Sequence, residues 1–466
     1  MLHKQEYDFC LQGVYSGMTK TIAIVGRPNV GKSTLFNTLI NRKEALTSPN
    51  PGLTRDRTYS FFSPEGKNRY LLIDTGGLIL GAERPIDEKV NMQVDIAIEE
   101  SDLLLFVVDT KDGPVPLDEK IADKLRKISK PVLLVANKSD SPKYDMHSSE
   151  FFGLSLGEPL AVSAKEKRNI TGIIERILTM LPDSEEDTDD EDRLRLCITG
   201  RPNVGKSTLM NSLAGENRVI VDDEPGTTRN PAKCYINIDG CDWEVIDLAG
   251  IWRKKRGKEI EEVLGMIAAL KEIERANACI FMLDLSKPLS TGDSRIAGWI
   301  VEKATPVVIA GNKMDLIDIS REKTEAYYDA LIEKMPFMGF APFVMISASD
   351  GTGIKKLKNE LGRIKNNTFK QIDQEELDIC LEKIIAHRPP PKAANIRPIV
   401  LKLYQKGVNP PVFRLVINHY RLDKIPQHWK NYVRNTIAKE FNYYGVPVTV
   451  QLKKHISSRN RRRKVR

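Results

Sequence analysis

Gly26-Arg27-Pro28-Asn29-Val30-Gly31-Lys32-Ser33 returns letter for letter as Gly200-Arg201-Pro202-Asn203-Val204-Gly205-Lys206-Ser207. Each copy follows a short β-branched, apolar run, at 21–25 and 196–199. Each opens a run with helical patterning, at 34–40 and 208–214. A strand, then G-x-x-x-x-G-K-S, then a helix is the context of a phosphate-binding loop. Glycine lets the backbone wrap closely around an anion. The helix start adds unpaired N–H groups and roughly half a positive charge. Lys32 and Lys206 are placed to reach the β- and γ-phosphates, and Ser33 and Ser207 to ligate Mg²⁺.

Further motifs follow each loop at matched spacing. Asp74-Thr75-Gly76-Gly77 lies 42 residues beyond Lys32, and Asp247-Leu248-Ala249-Gly250 lies 41 beyond Lys206. The D-x-x-G aspartates suit a Mg²⁺-bound water. Gly77 and Gly250 suit a backbone N–H to the γ-phosphate. Asn137-Lys138-Ser139-Asp140 and Asn312-Lys313-Met314-Asp315 come 63 and 65 residues beyond those aspartates. A carboxylate there accepts two hydrogen bonds from the guanine N1–H and 2-amino group. Adenine lacks that donor pair, and buried acceptors left unpaired discriminate strongly. Ser163-Ala164-Lys165 and Ser347-Ala348-Ser349 place a backbone N–H near the guanine O6. Each four-letter motif is weak alone. In order, at matched spacing and in duplicate, they imply GTP rather than ATP.

Between loop and D-x-x-G lie Pro51-Gly52-Leu53-Thr54-Arg55-Asp56 and Pro225-Gly226-Thr227-Thr228-Arg229-Asn230. Only the second residue of the central pair is threonine in both. Thr54 and Thr228 are therefore assigned to Mg²⁺ and the γ-phosphate, in segments that should order with GTP. Lys32, Thr54, Gly77, Lys206, Thr228 and Gly250 form the expected hydrolytic sets. Small signalling GTPases carry a water-orienting glutamine after D-x-x-G. Here Leu78 and Ile251 stand there, and neither hydrogen-bonds water. Slow intrinsic turnover is expected.

The chain of 466 residues is too long for one core and implies about three domains. Apolar runs at 70–73, 103–108, 132–136 and 160–162 alternate with helical patterns at 118–128 and 170–181. Runs at 243–246, 278–283, 306–310 and 343–346 repeat the scheme. This alternation predicts an α/β fold with mostly parallel sheets. From about 368 the pattern becomes a small α+β module. It has helices at 375–386 and 430–441 and strands at 399–404, 412–418 and 446–452, with 405–411 as a connector. The expected boundaries are 1–18 for an N-terminal extension or misassigned start, 19–181 and 194–366 for the nucleotide domains, and 182–193 for a linker. The module spans 367–452 and a basic tail 453–466.

Eight of the ten residues 183–192 are acidic, which should keep the linker extended. Charge is sharply divided. Residues 388–466 hold 19 Lys+Arg against 2 Asp+Glu, although the whole chain is only +8. That end should meet a polyanion. The tail carries eight Lys+Arg and no acid, so it should bind RNA phosphates in a salt-dependent way. No run of eighteen apolar residues occurs, so no membrane insertion is expected. The six cysteines form no C-x-x-C and read as reduced thiols in a cytoplasmic protein, without a zinc site.

Tandem G domains with G-R-P-N-V-G-K-S, P-G-x-T-R-D and N-K-x-D motifs, an acidic linker and a basic C-terminal module resemble the bacterial ribosome-biogenesis GTPases of the Der (EngA) family, akin to Era and TrmE. The resemblance covers residues 19 to about 455. It implies two tandem P-loop GTPase domains plus a C-terminal KH-like domain. It also implies a monomeric, ribosome-associated GTPase that acts in assembly of the large ribosomal subunit and contacts its rRNA. Asn230, Leu248 and Leu53 depart from the family pattern without removing a phosphate or Mg²⁺ ligand. In similar GTPases the loop asparagine, here Asn29 and Asn203, ligates K⁺. The plainer reading is a residue shaping a turn. After Gly250, Trp252-Arg253-Lys254-Lys255-Arg256 reads either as a nucleotide-dependent RNA contact or as a solvated loop. The module lacks the G-x-x-G loop with which KH domains grip single strands. Its aromatics Tyr404, Phe413, Tyr420, Trp429, Tyr432, Phe441, Tyr443 and Tyr444 read mainly as core. Two other readings compete: an RNA-binding scaffold gated by a slow G domain, and a tRNA-modification GTPase.

Overall fold

The computed structural model describes residues 20–40, 58–64, 70–77, 86–182, 194–215, 234–246, 258–317, 321–392, 396–418 and 421–455. The chain divides into two compact units, one built mainly on Tyr15–Asp189 and the other on Asp190–Lys254 and Ala268–Arg466.

The first unit is a six-stranded sheet. Its strands are β1 (Lys20–Val25), β2 (Tyr59–Phe62), β3 (Tyr70–Asp74), β4 (Leu103–Asp109), β5 (Val132–Asn137) and β6 (Leu160–Ala161), in the order β2-β3-β1-β4-β5-β6. Only β2 runs antiparallel, against β3. Every residue of β4, Leu-Leu-Leu-Phe-Val-Val-Asp, is buried. A parallel strand covered on both faces needs such a continuous apolar run, and alternation would place polar groups in the core. The helix Ile170–Met180 turns Ile170, Ile173, Ile174 and Ile177 inward, the spacing of one helical face. Chain order reverses between β3, β1 and β4. The phosphate loop leaves the end of β1 there, at the crevice where open α/β sheets bind ligands.

The second unit repeats this plan with β7 (Leu194–Thr199), β8 (Cys234–Ile238), β9 (Cys241–Val245), β10 (Ala278–Asp284), β11 (Val307–Asn312) and β12 (Phe343–Met345). Its order, β12-β11-β10-β7-β9-β8, is the same as the first, read from the other edge. Asp239-Gly240 closes the β8–β9 hairpin with both residues at positive φ, 51° and 76°. Those angles match the twist of a two-residue turn.

The C-terminal module carries β13 (Ile399–Val408), β14 (Pro411–Asn418) and β15 (Thr449–Lys454), with helices Gln374–His387 and Gln427–Glu440. β13 pairs antiparallel and β15 parallel with β14. The connector expected at 405–411 is shorter than its glycine and prolines imply. β13 continues to Val408 through an irregularity between Gln405 and Gly407, and only Asn409-Pro410 remains as the turn. A bulge absorbs the glycine, and a hairpin end takes the prolines.

This module shares one hydrophobic core with the second nucleotide fold. Ile354, Leu357, Leu361 and Ile364 of the helix Ile354–Thr368 lie in the same cluster as Leu377, Phe413, Trp429 and Val446. The Val307 N–H donates to Gly445 O, and the Gly445 N–H donates to Phe340 O, both at 2.9 Å. Gly445 sits at φ 77°, and a Cβ there would lie 2.4 Å from Ile364 Cγ1. Gly445→Ala should therefore cost on the order of 2 kcal/mol through strain and clash. Thermal unfolding should start earlier, and limited proteolysis should release the module first. An unchanged melting profile would contradict this packing.

Candidate nucleotide sites

The phosphate loop of the first fold is shaped by three positive-φ residues. Gly26 has φ 147° and Gly31 φ 96°, and Asn29 between them is left-handed at φ 67°. A Cβ at Gly26 would meet Val107 O at 2.3 Å, and one at Gly31 would meet Asn137 Nδ2 at 2.3 Å. The second loop repeats this: Gly200 against Met282 O at 2.5 Å and Gly205 against Asn312 Nδ2 at 2.3 Å, with Asn203 at φ 65°. Asn29 and Asn203 are exposed. Asparagine is among the residues that tolerate left-handed backbone.

The close approach at Gly31 serves a strut. Asn137 Nδ2 donates to Val30 O at 2.8 Å, and its Oδ1 accepts from Ala164 N at 3.0 Å. Asn312 does the same, to Val204 O at 2.8 Å and from Ala348 N at 2.9 Å. One amide thus joins the phosphate loop, the strand end and the serine-alanine loop. In the stretches expected to place a backbone N–H near guanine O6, the Ala164 and Ala348 N–H groups donate to these asparagines. An O6 contact would share or redirect them.

Lys32 is nearly buried, and its Nζ donates to Gly26 O and Arg27 O at 2.8 Å each. Lys206 Nζ takes the matching carbonyls, Gly200 O at 2.8 Å and Arg201 O at 3.1 Å. Burial pulls the Lys32 pKa down to about 8, with Asp74 opposing the shift and Arg27 reinforcing it. Burial lowers Lys206 too, opposed by Glu272 and Cys197. A buried cation without full compensation is a site for an anion. Ser33 Oγ donates to Asp74 Oδ2 at 2.5 Å, and Asp74 Oδ1 accepts from Gly76 N at 3.0 Å. A hydroxyl and a carboxylate converging beside a phosphate cradle fit Mg²⁺, which takes oxygen ligands together with substrate phosphates. The described residues include Thr75, Gly76 and Gly77, which form a single turn after β3. Thr54, Leu78, Thr228, Asp247, Leu248, Ala249, Gly250 and Ile251 lie outside the described residues, as do the acidic run, 252–256 and the tail from 456.

At the guanine end, Lys138 and Lys313 are both left-handed, at φ 67° and 66°. Their ammoniums pair with Asp109 at 2.5 Å and Asp284 at 2.6 Å. The two carboxylates expected to read guanine differ in their surroundings. Asp140 accepts from Ser163 Oγ at 2.7 Å and from Lys111 Nζ at 2.6 Å. The bond from Lys111, followed by that from Ser163, holds its pKa below the usual carboxylate range. At the position matching Lys111 the second fold has Ser286, which instead donates its hydroxyl to Asp284 at 2.6 Å. Asp315 is exposed. Ser347, the counterpart of Ser163, instead has its Oγ 2.9 Å from Ser349 Oγ.

Sequence reasoning missed the carboxylates that brace the loops. Arg27 pairs with Asp112 at 2.7 Å and Asp118 at 3.5 Å, and Arg201 with Asp293 at 2.8 Å. Both arginine side chains are thus committed to carboxylates. Of the loop residues Pro28, Val30, Pro202 and Val204, the two valines are buried and hold the loop from below. Asp118 and Asp293 also cap their helices, accepting from Val115 N and Ser290 N. A signal existed: each stands nine residues after the aspartate that ends a buried strand, Asp109 or Asp284.

Fold and sites define a tandem P-loop GTPase with a KH-like third domain. The model of 50S ribosome-binding GTPases matches residues 21–138 and again 195–313. The model of the KH-domain-like C-terminal part of EngA bacterial GTPases matches residues 371–453. GTPase Der of Caldanaerobacter subterraneus subsp. tengcongensis is 40% identical over 93% of this chain and 98% of its own length. GTPase Der of Aromatoleum aromaticum is 38% identical over 94% and 98%. Among solved structures the chain is similar to Era of Aquifex aeolicus bound to GDP·AlF4⁻, at 22% identity over 58% of this chain and 96% of that one, with a TM-score of 0.29. The chain belongs to the GTPase Der family and is a GTP-hydrolysing enzyme.

Two outcomes follow from the geometry of the first site. Polyphosphate beside Lys32 should raise its pKa from about 8 toward the ordinary 10.5. Below pH 8 the ammonium is charged with and without GTP, so no proton moves. Between the two values the free site has lost its proton and the loaded site holds it. Binding there should take up a proton and weaken as pH rises, which calorimetry in buffers of different ionisation enthalpy will read in a Lys206→Ala background. Separately, Lys111→Ala should release Asp140 and tighten guanine nucleotide binding at this site by a few-fold. Weaker binding in that variant would make Lys111 a ligand contact instead.

Proposed function

We propose that this chain is a Mg²⁺-dependent switch that binds assembling large ribosomal subunits through rRNA in one nucleotide state and leaves after hydrolysis. The observation that carries this reading is the match of both halves to 50S ribosome-binding GTPases, joined to a duplicated site whose guanine ends differ. Ser33, Thr54 and Asp74, with Ser207, Thr228 and Asp247, are the proposed Mg²⁺ ligands. Mg²⁺ would neutralise phosphate charge. Lys32 and Lys206 would hold the transferred phosphoryl group, with Gly77 and Gly250 at its γ-oxygens. Asp140 and Asp315 would read guanine.

K⁺ held through Asn29 and Asn203 is part of the proposal. The site lacks the water-orienting glutamine, and an added cation between the phosphates would do the work of an arginine finger, worth roughly 10³–10⁵ in rate. No helix among the described residues is long and apolar enough to cross a membrane. A cytoplasmic, monomeric, ribosome-associated protein fits the reading.

Co-sedimentation with ribosomal particles in GTP, in GDP and without nucleotide tests the switch. Binding should follow nucleotide state, and separate Lys32→Ala and Lys206→Ala variants should assign the dependence to one fold. Binding indifferent to nucleotide would reject it. Turnover should rise when K⁺ replaces Na⁺, and Asn29→Ala should blunt that rise for the first fold. Equal rates in both salts would remove K⁺ from the account.

A further inference from the structure

The three-stranded sheet of the C-terminal module has two unlike faces. Toward the helices it presents Leu403, Phe413, Leu415 and Ile417, all fully buried. The register fixes what stands on the other face. Tyr404 pairs with Arg414 and Arg414 with Gln451, which makes one row across the sheet. Lys402 pairs with Val416 and Val416 with Lys453, which makes the next. Lys402 and Lys453 are exposed, and Tyr404, Arg414, Val416 and Gln451 are half-exposed. No acidic residue occurs in β13, β14 or β15.

These groups touch one another. Arg414 Nε donates to Gln451 Oε1 at 3.2 Å. The Tyr404 phenol is held below its ordinary pKa, first by a hydrogen bond with Arg414 and also by Lys453. The register sets the ring beside Arg414 in one row, with Lys402 and Lys453 in the next. Of the module's other described aromatics, Phe413, Trp429, Phe441 and Tyr443 are buried, while Tyr432 and Tyr444 have Arg388 and Arg363 over their rings at 5.7 and 5.4 Å.

We propose that this open sheet face is a binding platform for single-stranded RNA, with Tyr404 stacking a base and Lys402, Arg414 and Lys453 pairing with the flanking phosphates. The proposal rests on the rRNA-binding reading above and locates that contact. A ring set in a row with cations on a sheet is the chemistry of sequence-tolerant single-strand binding. It also accounts for a KH-like module that lacks the gripping G-x-x-G loop. The occupant is chosen by charge: three cations and no acid suit a polyanion, and a half-exposed ring on an open sheet suits unpaired bases rather than a duplex.

The test uses the full chain and a fluorescent twelve-nucleotide uridine RNA, titrated across a range of salt concentrations. Tyr404→Leu keeps apolar bulk but removes the ring, and should weaken binding roughly 5- to 100-fold. Tyr404→Phe should bind like the parent, and a matching melting temperature for both will show that the sheet is intact. Lys402→Gln with Lys453→Gln should lower the logarithmic salt slope by about 1.4, two phosphate contacts at ~0.7 each for single strands. Parent-like binding and slope in these variants, with binding lost instead on removal of residues 456–466, would overturn the platform while leaving RNA binding in place. An RNA duplex bound as tightly as the single strand, with Tyr404→Leu without effect, would overturn it too. A parent chain that binds no RNA at low salt would overturn the broader reading as well.

Discussion

A single side-chain amide holds each nucleotide site together. Asn137 donates to Val30 O and accepts from Ala164 N, and Asn312 repeats both bonds. Each amide is buried, where an unmade hydrogen bond is expensive. Neither bond forms unless the loop glycine beside it lacks a Cβ, because that atom would lie 2.3 Å from the amide nitrogen in both folds. Gly31 and Gly205 are therefore required twice over. They admit an anion on one side and a strut on the other. The strut makes the phosphate end and the guanine end one rigid object, so the distance between them is set before any ligand arrives. Such preorganisation is what phosphoryl-transfer enzymes depend on.

Around that shared frame the two folds part ways. The loops are identical in sequence and nearly so in conformation, and their lysines take equivalent carbonyls. The guanine ends are not equivalent. Lys111 occupies Asp140 in the first, whereas Ser286 turns to Asp284 in the second. Under the proposed role, a carboxylate already paired would give up a partner to receive a base, and an exposed one would not. Surface pairs are weak, so the difference adjusts affinity rather than abolishing it. The two copies thus share their loop geometry and differ in what surrounds the second carboxylate.

The sequence made the strands and the ligand-bearing loops legible for a physical reason. Parallel strands buried on both faces must be continuous apolar runs, and Leu103–Asp109 and Ala278–Asp284 stand out as such. The edge strands Tyr59–Phe62 and Cys234–Ile238 escaped, because a half-covered edge carries a mixed pattern. The chemistry of Lys32, Ser33 and Asp74 could be read from type and spacing alone. The bracing of Arg27 by Asp118 is harder to read: aspartates are common in any sequence, this one is buried in the fold, and only its matched spacing in both halves marks it. Gly407 misled for the opposite reason: glycine breaks most strands, but a bulge lets β13 pass through it.

The second fold shows why its nucleotide site and the KH-like module are best regarded as one mechanical piece. β11 begins at Val307, whose N–H bonds Gly445 of the module, and ends at Asn312, the guanine-side strut. The serine-alanine loop runs through Gly353, at φ 81°, into the helix Ile354–Thr368. That helix packs Ile364 under Gly445, and Asn367 Nδ2 donates to Tyr444 O at 2.9 Å. Arg363 lies over the Tyr444 ring at 5.4 Å. Two elements, β11 and the helix Ile354–Thr368, thus run from the Asn312 strut and the serine-alanine loop to the same short segment, Tyr443–Gly445. Packed cores resist gradual deformation, so a displacement at either end is carried through or refused as a whole. The strand that carries Asn312 and the helix that follows the serine-alanine loop are also the ones on which the module stands.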